Sequence, residues 1–91
     1  MNIYVVRWLN RIDNVEDCGN FEVCYSTEEE ARIALLQDFE NTKSEWKSSM
    51  DADDKFSENL KDDYAFICMQ DECGKFDYHD WWIDKLELKV S

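Results

Sequence analysis

Apolar residues fall at both odd and even positions of Ile3-Tyr4-Val5-Val6-Arg7-Trp8-Leu9, a β-branched and aromatic run that suits a central strand. Residues 10–20 are polar, with Asn, Asp and one Gly, and read as a long loop. Phe21, Val23 and Tyr25 then alternate with Glu22 and Cys24, predicting a second strand with one mostly apolar face. Ser26 and Thr27 stand before Glu28-Glu29-Glu30. Either hydroxyl can cap a helix, and a glutamate three residues on completes a capping box. Ala31, Leu35, Phe39, Thr42, Trp46 and Met50 lie within one arc of roughly 100° at about 3.6 residues per turn, so this helix presents one apolar stripe to a sheet. It either breaks near Asn41 or continues to about Ser49.

A second, shorter helix is predicted from about Asp51 to Lys61, with Phe56 and Leu60 facing inward and Asp51 or Asp53 as its cap. Tyr64–Gln70 is again apolar on both faces, Asp71-Glu72-Cys73-Gly74 supplies a turn, and Lys75–Tyr78 returns as the other arm of a hairpin. Asp80-Trp81-Trp82-Ile83 reads as a short turn. Leu86, Leu88 and Val90 alternate with Lys85, Glu87 and Lys89 as a closing strand. The pattern predicts an α+β fold: an antiparallel sheet of four to five strands with one long and one short helix, in the order ββα(α)βββ, with residues 1–91 as a single small domain.

Charge alters what this domain can bind. Ten Lys and Arg stand against 22 Asp and Glu, a formal net charge of −12. That balance argues against direct binding of nucleic acid or of an anionic membrane, either of which needs a basic patch. The 44% hydrophobic and 14% aromatic content is too high for a disordered acidic tail, so the chain is expected to fold. With only Gly19 and Gly74 there is no glycine-rich phosphate loop, and with His79 as the only histidine there is no multi-histidine metal site within one chain. The longest apolar run, Tyr64–Met69, is far short of a membrane span. The start of the chain lacks the basic and long apolar segments of a secretion signal, so a cytoplasmic location with reduced cysteines is expected.

Three candidate chemistries fail on spacing. Five residues separate Cys18 from Cys24 and four separate Cys68 from Cys73, neither being the tight CxxC of a zinc knuckle. Cys24 and Cys68, within predicted strands, read as small buried hydrophobes. An acidic loop starting at Asp51 has Phe56 where a calcium-binding hand needs Gly and Asp62 where it needs Glu. His79, between Asp77 and Asp80 in sequence, reads as a solvated surface imidazole rather than a catalytic base. No enzyme, metal or cofactor is therefore expected.

The acidity itself is the feature above background. On the predicted second helix Asp51, Asp54, Glu58 and Asp62 share one face opposite Phe56 and Leu60, while Glu30, Asp38 and Glu45 form a second line on the long helix. Like charges at such spacing weaken a helix, so an acidic face of this kind suits a basic groove in a partner. Of the four tryptophans, Trp8 and Trp46 fit the core, whereas both members of Trp81-Trp82 cannot be fully buried together, which makes one of them an interface anchor. The expected partner-binding residues are thus Asp51, Asp54, Glu58, Asp62, Glu30, Asp38, Glu45, Trp81 and Trp82.

The opening Ile3-Tyr4-Val5-Val6-Arg7-Trp8, the helix start Ser26-Thr27-Glu28-Glu29-Glu30-Ala31-Arg32 and the late Trp81-Trp82-Ile83 resemble short proteins of phages and prophages. Among these, the small acidic anti-CRISPR inhibitors are similar in element order and composition over most of the chain. The resemblance implies a non-catalytic inhibitor that mimics nucleic acid and binds the basic nucleic-acid-binding cleft of a CRISPR effector or nuclease in the host-cell cytoplasm. An immunity protein or antitoxin covering a nuclease toxin, or a phage structural or assembly protein, would carry the same acidity.

Overall fold

The computed structural model describes residues 1–87. They form β1 (Asn2–Ile12), β2 (Val15–Asn20), α1 (Glu28–Ser48), β3 (Lys55–Leu60), β4 (Tyr64–Gln70) and β5 (Phe76–Glu87). The five strands make one antiparallel sheet in the order β2-β1-β5-β4-β3, with α1 packed on one face. The fold is α+β, as the pattern predicts, but the described residues contain one helix and a different assignment of four segments.

The polar stretch 10–20 is a β-hairpin rather than a loop. Asp13 and Asn14 both have positive φ, 53° and 66°, and so form the two-residue connection whose twist matches that of paired strands. Short polar side chains tolerate that left-handed backbone. The arm β2 lies at the sheet edge with its side chains mostly in water, so backbone pairing gives it no apolar periodicity to display. Gly19 serves a close approach: a Cβ there would stand 2.8 Å from Trp8 Cζ2. The expected strand Phe21–Tyr25 is reduced to one bridge, in which Tyr4 and Tyr25 exchange N–H···O bonds of 2.8 Å.

The predicted second helix does not form. Asp51–Asp54 makes a turn, with the Asp54 N–H donating to the Asp51 carbonyl at 3.1 Å and the Asp51 N–H donating to Asp54 Oδ2 at 2.9 Å. The residues after it become edge strand β3. Phe56 and Leu60 are separated by four, which puts them on one side of a helix and equally on one side of a strand. The open edge of β4 decides, because Lys55–Leu60 pairs with it residue by residue. The stretch Asp80–Ile83, expected as a turn, instead continues the hairpin arm begun at Lys75–Tyr78. Together they make central strand β5, paired to β1 on one side and β4 on the other. Leu88 and Val90 of the expected closing strand lie outside the described residues.

The helix follows its sequence signals closely. Thr27 is the N-cap, its Oγ1 accepting from the Glu30 N–H at 3.2 Å while Glu30 Oε1 accepts from the Thr27 hydroxyl at 3.2 Å. The helix continues unbroken to Ser48 and buries Ala31, Leu35 and Phe39 against the sheet. They meet Val6, Ala65, Ile67 and Trp81 in one core, with Trp8, Trp46 and Phe56 half-buried around it. Trp81, 0% exposed, packs edge-on to Phe39 at 5.7 Å between centroids, and its indole N–H donates to Asp38 Oδ2 at 2.7 Å.

Candidate protein-binding surface

One helix covers one face of a sheet, and among the described residues no element packs on the other. Side chains alternate across a strand, so the register fixes which residues share that bare face. Across its middle, Arg7 lies opposite Trp82 and Trp82 opposite Tyr64. The next row is Leu9, Asp80 and Phe66, and the row beyond is Arg11, Tyr78 and Cys68. Apart from the exposed Arg11, these residues are half-buried. Exposed Phe76 extends the aromatic surface to one end, where it lines a concavity of ≈ 380 Å³ with Arg11, Lys75 and Tyr78.

Two opposite charges on this face hold each other. Arg7 Nε lies 2.7 Å from Asp84 Oδ2, an ion pair across β1 and β5 whose N–H is not aligned as a hydrogen bond. Asp80 is unlike the others. Burial raises its carboxyl above the usual carboxylate range, although a hydrogen bond from Tyr64 pulls the other way. Its Oδ1 is buried and has no hydrogen-bond partner. The Tyr64 hydroxyl is itself shifted up by burial and by the Asp80 charge. Burial likewise raises the Cys68 thiol, against a hydrogen bond from Ser57, so this cysteine stays a thiol at neutral pH. Cys18, Cys24 and Cys73 are exposed, which corrects the expectation of a buried Cys24.

The nine expected partner-binding residues do not form one surface. Asp51 and Asp54 lie in the α1–β3 connection, where with Asp53, Asp71 and Glu72 they line an acidic concavity of ≈ 430 Å³ at one end of the sheet. Glu58 is on β3, turned to the helix side and paired with Lys43 at 2.8 Å. Asp62 is exposed in the β3–β4 connection at the opposite end. On the helix, Glu30 accepts from the N-cap Thr27 hydroxyl, Asp38 holds the Trp81 indole and Glu45 is exposed. Asp51, Asp54, Glu58 and Asp62 therefore share no face, because the helix that would have aligned them is absent. Trp81 and Trp82 separate as strand neighbours must: Trp81 enters the core and Trp82 lies on the bare face.

His79 also departs from expectation. It is 9% exposed, stacked on Trp81 at 3.9 Å between centroids and near Trp8 at 5.7 Å. Burial lowers its pKa from 6.5 to about 4, against the attraction of Asp38, so the ring is neutral at pH 7. Its Nε2 has no partner. Among the described residues no group of three or more His, Cys, Asp or Glu is arranged to hold a metal ion, and no helix is long and apolar enough to cross a membrane.

Of the residues placed on the bare face, sequence reasoning found only Trp82 and missed the rest, Arg7, Tyr64, Phe66 and Asp80 among them. A signal was present: β1 and β4 are apolar on both sides, yet the chain holds only enough helix to cover one. No protein-family model, curated protein or solved structure matches this chain.

Proposed function

We propose that the protein is a non-catalytic binder that occupies a basic, nucleic-acid-binding surface of a protein target, a CRISPR effector or another nuclease, and inhibits it by occupancy. The observation that carries this reading is an uncovered aromatic sheet face on a chain of net charge −12. An apolar surface that no element covers is a common mark of an interaction site. Aromatic residues supply its contact area, and the acidity supplies attraction to a basic partner.

Charge is distributed to support that role. The pairs Arg7–Asp84, Arg32–Glu28, Lys43–Glu58 and Lys75–Asp13 neutralise only part of the acidity. Carboxylates frame the bare face at both ends: Asp51, Asp53, Asp71 and Glu72 at one, Asp62 and Asp63 at the other. A basic groove meeting this face would find rings at the centre and carboxylates at both ends, with the chain's own Arg11 and Lys75 beside Phe76 at one of them.

Competition tests the reading. A panel of purified Cas effectors and nucleases is assayed for binding to the chain in the presence and absence of each enzyme's own DNA or RNA. The expected result is mutually exclusive binding with an association rate that falls steeply as salt rises. A ternary complex of target, nucleic acid and this chain, or an association rate flat in salt, would overturn it.

A further inference from the structure

We propose that the bare sheet face is an arginine-recognition surface, with Asp80, Trp82 and Tyr64 as the receiving group for a guanidinium of the partner. The inference rests on the reading of a basic target and names the side chain by which that target is held.

Three observations carry it. Asp80, Trp82 and Asp84 stand at alternate positions of one strand, so they share a face, each carboxylate about 6.6–6.8 Å along the strand from the tryptophan. Tyr64 lies directly beside Trp82 on β4. A planar cation laid on these rings would therefore have a carboxylate within reach on either side. Asp84 already holds the chain's own cation, Arg7, the cross-strand partner of Trp82. Asp80 is the half-filled counterpart: its carboxyl takes a hydrogen bond from Tyr64, but its Oδ1 has no partner. A carboxylate oxygen kept out of water and unpaired is costly to the fold. Because Asp80 as a whole is only half-buried, a turn of its side chain toward the open face would let a partner's donor relieve that cost.

Charge and shape favour arginine over other occupants. A second copy of this chain would bring another −12 against the first, and long-range repulsion opposes that approach. Lysine offers a point charge, whereas guanidinium is flat, weakly hydrated and able to stack on an indole while donating in its own plane to a carboxylate. The combination of Trp82 with Asp80 matches both properties.

The test uses two peptides of equal charge, Ac-Gly-Arg-Gly-Arg-Gly-NH2 and its lysine counterpart, titrated into the isotope-labelled full chain and followed by the Trp82 indole N–H resonance. Equal charge makes the general attraction to an acidic protein the same for both. The arginine peptide is expected to bind roughly 5- to 10-fold more tightly and to move Trp82 and Tyr64 resonances. Trp82→Ala and Asp80→Asn are each expected to reduce that preference below about twofold. The double variant Asp51→Asn, Asp53→Asn should weaken both peptides by the same factor. Asp80→Asn is isosteric and removes a charge that burial disfavours, so it keeps the test valid if Trp82→Ala fails to fold. Equal affinities for the two peptides, or a preference that survives both variants, would overturn the proposal. A dimer in sedimentation that Trp82→Ala dissociates would overturn it too, by making a second copy the occupant. The peptides need no target, so this result and the competition result fail independently.

Discussion

His79 has no acid–base partner for its Nε2 and lies among rings, an environment that disfavours its charged form. The consequence for stability has a definite sign. The unfolded chain takes up a proton near pH 6.5, the folded chain only near pH 4, so between those values the unfolded state binds more protons. The contribution is complete above about pH 6.5 and is lost as pH falls toward 4. Allowing for solvent reaching part of the ring, it is roughly 2 kcal/mol. His79→Phe keeps a ring in the stack and cannot titrate. Chemical denaturation from pH 7 to pH 4 should show the parent losing about that much more stability than the variant. Equal losses in the two proteins would refute the assignment. The neighbouring contact of Asp38 with the Trp81 indole fixes the same cluster from the helix side.

Elements differ in how far they are locally encoded. The helix is strongly so, because Thr27 Oγ1 accepts from the Glu30 backbone N–H while Glu30 Oε1 accepts from the Thr27 hydroxyl, contacts that need no tertiary partner. Replacing Thr27 by Ala should cost about 1 kcal/mol in thermal or denaturant unfolding, and Thr27→Ser should restore most of it. A loss below about 0.3 kcal/mol would mean that Ser26, whose hydroxyl also reaches Glu30 Oε1 at 3.3 Å, takes over the cap. Strand β3 stands at the other extreme. Its residues Lys55–Leu60 are mostly exposed, and its existence depends on the β4 edge it pairs with and on Phe56 packing against the core.

For the molecule as a whole, the dominant property is unbalanced acidity. Self-repulsion among carboxylates destabilises a compact state, and salt screens it over about 10 Å at 0.1 M. Raising NaCl from about 0.02 to 0.5 M should therefore raise the melting temperature by a few degrees, roughly 4–8 °C per kcal/mol recovered. A melting temperature that falls over the same range would show that the surface ion pairs outweigh the repulsion. Binding should respond oppositely, weakening with salt, since the same carboxylates that repel one another attract a basic partner.

Local periodicity and capping determined β1, β4 and α1, and with them the α+β class: those signals lie within a few residues of one another and need no partner to be read. Pairing determined the rest. Asp13-Asn14 forms a turn because a second arm is available to return along β1. Phe56 and Leu60, compatible with either periodicity, form a strand because β4 has an open edge. Asp80–Ile83 continues β5 because β1 and β4 flank it on both sides. The candidate surface divides the same way. That one of Trp81 and Trp82 must be accessible was legible from their adjacency, but which one was not, since that depends on where α1 docks. Arg7, Asp80, Trp82 and Tyr64 come from three strands, and only the register between those strands brings them to one face. Hydrogen bonds between distant segments set that register, and a linear pattern carries no record of them.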